Sequence, residues 1–167
     1  MTGFIDYYKQ IDDGIKDRLR YALRPDFLID KVDVKVSSNE SNLSRGYDYF
    51  ILTKPGDFPI IDSMNAGKVQ TVEWDTTVEL FVRFKEKSEQ WSLFSSYRDA
   101  VIYFLQKYRF LGAAIIDGES VSQVPFVDRI RGIKGNGEAD YYKVNNQEVY
   151  FMYQALTVTT RQNVKYG

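Results

Sequence analysis

Asp12 and Asp13 are adjacent carboxylates, and paired carboxylates are the usual oxygen ligands of a divalent cation. Neighbouring residues on a helix point about 100° apart, however, so the pair is expected to lie on a solvated helix face. Glu73, Asp75 and Glu79 form a second acidic set. On a strand they share one face, because side chains alternate. A solvated sheet face is again the expectation. Arg129, Arg131 and Lys134 alternate imperfectly near Gly132 and Gly135, and the stretch GIKGNGE invites comparison with a phosphate loop. It lacks the GxxxxGK[ST] pattern and a following helix, so phosphate binding is not expected there.

The chain has no cysteine and no histidine. Disulfides, thiol nucleophiles and thiolate metal sites are thereby removed. So are the commonest general base and the commonest transition-metal ligand. Serine–histidine catalysis and zinc hydrolysis are excluded, leaving only carboxylate, lysine or tyrosine chemistry open. No catalytic, cofactor-binding or metal-ligating residue is expected. A net charge of −1 gives no support to a dedicated nucleic-acid binder.

The 167 residues are most economically one domain, 1–167, able to bury a real core. Hydrophobic residues make up 44% and charged residues 27%, with no run long enough for a membrane span. The N-terminal stretch carries Asp6, Asp12 and Asp13 where a signal peptide would be basic and then apolar, so production in a cytoplasm is expected.

The longest pattern is VEWDTTVELFVRF, Val72 to Phe84. Val72, Trp74, Thr76, Val78, Leu80, Val82 and Phe84 define one face. Glu73, Asp75, Thr77, Glu79, Phe81 and Arg83 define a largely polar one. Thirteen residues would span roughly 43 Å, against a usual strand of about five or six residues. Such a strand is expected to continue into a hairpin arm or to pair with a neighbouring subunit. Val78 and Leu80 are expected to pack on the helices with Val101 and Phe104.

Phe4, Tyr8, Ile11, Ile15, Leu19 and Ala22 recur at helical spacing and predict an amphipathic first helix, capped by Thr2 and ended by Pro25. Gly14 falls away from its apolar stripe. Ser88 to about Arg109 predicts a second helix, with Trp91, Phe94, Tyr97, Val101, Phe104, Leu105 and Tyr108 buried. Strands are expected at 31–36, 47–52, 113–116, 126–133 and 149–160. Turns are expected at Asp117-Gly118, Asn136-Gly137 and Asn145-Asn146. The polar stretch SSNESNLSRG reads as an exposed loop, and RQNVKYG as a tail or arm. The predicted fold class is α+β: a mainly antiparallel sheet, two amphipathic helices on one face, and a long β-hairpin or arm.

Lys54 to Lys68 contains two prolines and two glycines and reads as a long connection. Phe58, Ile60, Ile61 and Met64 make it unusually apolar, so it is expected either to contact a partner or to fold back as a lid on the core. Thirteen tyrosines, eleven phenylalanines and two tryptophans make aromatic residues 16% of the chain, a bias shared by interfaces and sheets.

The order of segments FIDYYKQIDDGIKDRLRYAL, YDYFILTKPGDFPII, WDTTVELFVRF, WSLFSSYRDAVIYFLQKY and VYFMYQALTVTTR resembles the tail terminator proteins of long-tailed bacteriophages, the lambda-type group. The resemblance covers most of the chain, with additional length at Asp117 to Asn146. It implies a non-enzymatic hexameric ring in the virion, at the tail–neck junction, with no cofactor. Such a ring ends tail-tube polymerisation, joins the neck, and lets genomic DNA pass through its lumen without sequence-specific binding. The implied partners are other copies of the chain, the tail tube protein and a neck or head-completion protein, with no membrane. A head-completion or stopper protein is the nearest alternative. A small carboxylate-dependent metal enzyme and a monomeric ligand-binding module are alternatives of other classes.

Overall fold

A computed structural model of the chain describes residues 7–24, 34–38, 48–56, 60–65, 69–84, 90–124, 127–143 and 150–165. The expected caps Thr2 and Ser88, the first stripe residue Phe4, the break at Pro25, most of the polar loop (39–46) and the turn at Asn145-Asn146 lie outside the described residues.

Helix α1 covers Tyr7–Ala22 and α2 covers Gln90–Lys107. The strands are β1 Val34–Ser37, β2 Tyr49–Pro55, β3 Ile60–Asn65, β4 Val69–Phe84, β5 Ile115–Ile116, β6 Glu119–Ser120, β7 Val127–Lys143 and β8 Tyr150–Lys165. Six of them form one sheet in the order β1-β2-β4-β8-β7, with β3 also on β4. β1 and β2 are parallel and the other pairs antiparallel. The fold is therefore α+β.

The spine of the sheet is β4 against β8, in unbroken register from Val69 opposite Lys165 to Phe84 opposite Tyr150. Alternation decides what each face meets. Val78, Leu80 and Val82 from β4, Ile51 from β2, and Met152, Leu156 and Val158 from β8 all point to one side. There they pack with Ile11, Ile15 and Leu19 of α1 and Phe94, Val101 and Leu105 of α2. Phe104 is partly buried against the same cluster. Both helices thus cover one face, as their 3.6-residue stripes require.

Where the structure departs from the pattern, it does so for local reasons. The face of β4 expected to be largely polar carries a second core. Phe50, Phe81 and Tyr153 lie side by side across β2, β4 and β8. With Leu52 and Phe151 they form an apolar cluster on the side away from the helices. Glu79 on that face is also buried. Trp91, expected inside, is 50% exposed, because the α2 stripe meets the sheet only from Phe94 onward. Gly14 does not lie on a free face. A methyl group there would come within 2.5 Å of Val124 Cγ2, so the glycine admits the segment that follows α2.

Three sequence expectations for loops are also replaced. Ile60–Asn65 is a strand, β3, and β2 and β3 lie end to end along one edge of β4. Pro55 ends β2, as a residue with no N–H to give the ladder often does. Asn136-Gly137 is not a hairpin turn. β7 runs through it with a bulge, and Gly137 takes φ 70°. Arg161–Lys165, expected as a tail, completes β8. The turn at Asp117-Gly118 is present, with φ 47° and 84°, joining β5 to β6.

The Tyr97 hydroxyl anchors α2 to the sheet by donating to the Phe50 carbonyl (3.3 Å). Burial, helped by neighbouring Tyr49, holds its phenol well above the ordinary value of about 10. The folded state therefore keeps a proton that the unfolded chain releases. This contribution to stability is complete below pH about 10 and declines as pH rises beyond it. Urea midpoints are expected to fall above pH about 10 less steeply in Tyr97→Phe than in the parent chain. Equal slopes for the two would remove Tyr97 as the cause.

Candidate functional site

The acidic residues singled out in the sequence are separated and individually partnered. Glu73 accepts from Arg161 Nε (3.1 Å), Asp75 accepts from Thr159 Oγ1 (2.8 Å), and Glu79 pairs with Lys54. Among the described residues no group of three or more carboxylate, histidine or cysteine side chains is placed to hold a metal ion.

Asp12 and Asp13 have different environments. Asp13 is on the surface beside Lys9 (2.6 Å), and Lys9 and Lys16 hold its carboxyl below the usual range despite the opposing effect of partial burial. Asp12, expected in solvent, is only 6% exposed. It accepts from Lys16 Nζ (2.9 Å) and Ser38 Oγ (3.1 Å), and Ser38 Oγ also meets Thr53 Oγ1 (3.2 Å). Lys16 Nζ lies 2.8 Å from Ser38 Oγ, a geometry used by serine–lysine nucleophile pairs. Such chemistry needs a free amine. Here the ammonium is engaged by Asp12 and also faces Asp13 at 3.6 Å. The cluster ties α1 to β1 and β2.

Arg18 is the largest buried polar group and had no sequence signal beyond its position next to the apolar stripe. Its guanidinium donates to the carbonyls of Gly14 (3.1 Å), Ser122 (3.0 Å), Phe110 (3.0 Å) and Ala113 (2.9 Å). Asp17 beside it accepts from the Ser122 N–H (3.2 Å) and hydroxyl. Together these residues fasten the segment that leads from α2 to β7.

That segment borders two depressions in the surface. One, of about 300 Å³, is lined by Tyr108, Phe110, Ile115 and Asp117. Asp117 accepts from Tyr21 (3.2 Å) and Tyr108 (3.0 Å). Burial, and then this carboxylate, raises both phenols above their ordinary values. Tyr103, Phe110 and Ile115 are 57%, 48% and 64% exposed, so large apolar surface is concentrated around the end of α2. The second depression, of about 400 Å³, lies between α2 and β7 and brings together Arg109, Arg131, Ile130 and Ile133. In the sequence Arg131 sits in an imperfect alternation and Arg109 at the end of a predicted helix. The imperfect alternation was itself the signal of the bulge that turns Arg131 towards Arg109.

Of the expected partner-binding residues, Phe58 lies outside the described residues. The backbones of Ile60, Ile61 and Met64 belong to β3, with Ile60 opposite Glu73 and Ile61 opposite Val72. Their side chains lie outside the described residues. No protein-family model matches the chain, and no curated protein matches its sequence.

Proposed function

We propose that the chain is a structural protein of the tail-terminator kind. It forms a ring at the head-proximal end of a phage tail tube, ends tube polymerisation and joins the tube to the neck. The observation that carries this reading is the β4–β8 ribbon. Sixteen paired residues span about 50 Å. A compact chain of this size has a radius of gyration of about 15 Å, hence a diameter of only about 40 Å. The long edges of this ribbon are already paired, by β2 and β3 on one side and β7 on the other, so a ribbon longer than that expected diameter would offer its ends and faces to a neighbour. The exposed aromatic and aliphatic residues at the end of α2 add a second contact region, since such groups are enriched in interface cores. On this reading Phe58, Ile60, Ile61 and Met64, at and beside β3, meet the next subunit or the tube, and DNA passes the lumen without being held by sequence.

Light scattering on the purified chain, alone and after incubation with isolated tail tubes, tests the reading. Ring-sized mass alone, or rings at tube ends in electron micrographs, is the expected result. The Phe58→Ser/Ile61→Ser double variant serves as the control that should not assemble. A chain that stays monomeric in both conditions ends the proposal.

A further inference from the structure

β7 is the edge of the sheet, paired with β8 on one side only among the described strands. Its register is broken around Val127, Ile130 and Gly132 and again between Asn136 and Asp140. Bulges of this kind protect an edge from indiscriminate pairing. Between them lies a regular window of five residues, Gly132 to Asn136, in step with Thr159 to Ala155.

This window adjoins the depression lined by Arg109 and Arg131. Both guanidinium groups are exposed, and neither has a hydrogen bond or ion pair among the described residues; Arg109 touches only the Phe110 ring, at 5.1 Å. The Ile130 N–H donates to the Arg109 carbonyl (2.8 Å), which stitches the end of α2 to β7 and keeps the backbones that carry the two arginines together. The floor is apolar, with Ile130 buried and Ile133 partly buried against the core. Gly132 is bare, with no atom within 4 Å of where a Cβ would stand. A glycine in an edge strand allows another backbone to approach closely. Lys134, exposed in the middle of the window, adds a third cation.

We infer that the outer edge of β7 from Gly132 to Asn136 takes up a short extended acidic segment of a partner protein. Its backbone adds to the sheet, its carboxylates meet Arg109 and Arg131, and an aliphatic side chain rests on Ile130 and Ile133. Main-chain pairing supplies affinity in this mode, and the side-chain contacts supply selectivity. Arginine forks suit carboxylates and phosphates alike. The aliphatic floor, the lack of an aromatic ring in this depression and the narrow five-residue window favour a peptide over a nucleic-acid strand, whose bases would stack on aromatic platforms. The inference does not depend on ring formation.

The test is an array of seven-residue peptides spanning acidic, basic and neutral compositions, probed with the full chain, and fluorescence titration of the best peptide. Peptides alternating Glu or Asp with Val or Ile are expected to be selected, with binding that weakens as salt rises. Arg131→Glu and Arg109→Glu should each weaken it at least about tenfold, as loss of a charge-assisted contact requires. Gly132→Val should abolish it through bulk alone, with the melting temperature unchanged, because open space surrounds that position. Several results would overturn the inference. One is an array without acidic preference, or binding that survives both Arg131→Glu and Gly132→Val. Another is oligo-dT binding more tightly than any peptide and being lost in Arg131→Glu, which would make the ligand a phosphodiester. A third is a change in the mass of the chain alone in Arg131→Glu, which would make the occupant a second copy.

Discussion

Arg18→Met is expected to lower the free energy of unfolding by about 3–5 kcal/mol. Arg18 is 1% exposed, and its guanidinium is the hydrogen-bond donor for four carbonyls. Three of these, on Phe110, Ala113 and Ser122, belong to a segment more than ninety residues away in the chain. Methionine has similar length and no donor, so the carbonyls would remain inside with their partner removed. A buried ion pair can sometimes be replaced by apolar groups at little cost when both charges leave together. Here only the donor leaves. Burial pushes the Arg18 pKa below its ordinary value while Asp17 pulls it upward, and the group stays charged at any pH where the chain is folded. Some relief of desolvation is expected on substitution, which keeps the net cost within the stated range. Urea denaturation gives the value. Hydrogen exchange should show the greatest loss of protection between residues 110 and 124. A cost below about 1 kcal/mol would mean that water replaces the guanidinium, and that the segment is held by Asp17 and by packing on Gly14 instead.

Arg18 also marks the limit of what periodicity reveals. The stripe of Ile11, Ile15, Leu19 and Ala22 was legible because a helix buried on one side must repeat near 3.6 residues. Arg18 and Asp12 flank that stripe, and their burial depends on which carbonyls and hydroxyls the rest of the chain delivers. No local pattern encodes that. The alternation of Val78 and Leu80 predicted their packing on the helices, where Val82 joins them. The same alternation mis-stated the other face, because five polar residues of β4 outvoted Phe81. Phe50 and Tyr153, which cover it, come from strands distant in sequence. Glycine beside asparagine at Asn136-Gly137 predicts a chain reversal. Positive φ is equally what a bulge requires, and only the partner strand distinguishes the two. Between Lys54 and Lys68 the prolines and glycines read as one long connection, and six residues of strand were hidden in it. The basic residues of β7 were visible in the sequence. Their meeting with Arg109 was not, since it depends on the Ile130 N–H bond that fastens two elements together.

Phe81→Ala is expected to cost about 3–5 kcal/mol, as large as any aromatic truncation in a core. The residue is 2% exposed and forms the hub of the second cluster. Its ring centroid lies 6.4 Å from Phe50, 6.0 Å from Phe151 and 5.0 Å from Tyr153. Two of these contacts are edge-on, an arrangement worth about 0.5–1.5 kcal/mol beyond area burial alone. Alanine removes all three contacts at once and leaves a cavity at the centre of β2, β4 and β8. The neighbours are held by strand pairing on both sides, so they have little freedom to close it. Phe81→Leu keeps most of the volume and should cost clearly less, which separates lost packing from lost strand propensity. Urea midpoints measured at several protein concentrations complete the test. A large cost independent of concentration makes this face a core of the individual chain. A small cost in dilute protein that grows with concentration would mean that Phe81 is buried chiefly by another subunit, and the second apolar face of the sheet would then belong to the assembly.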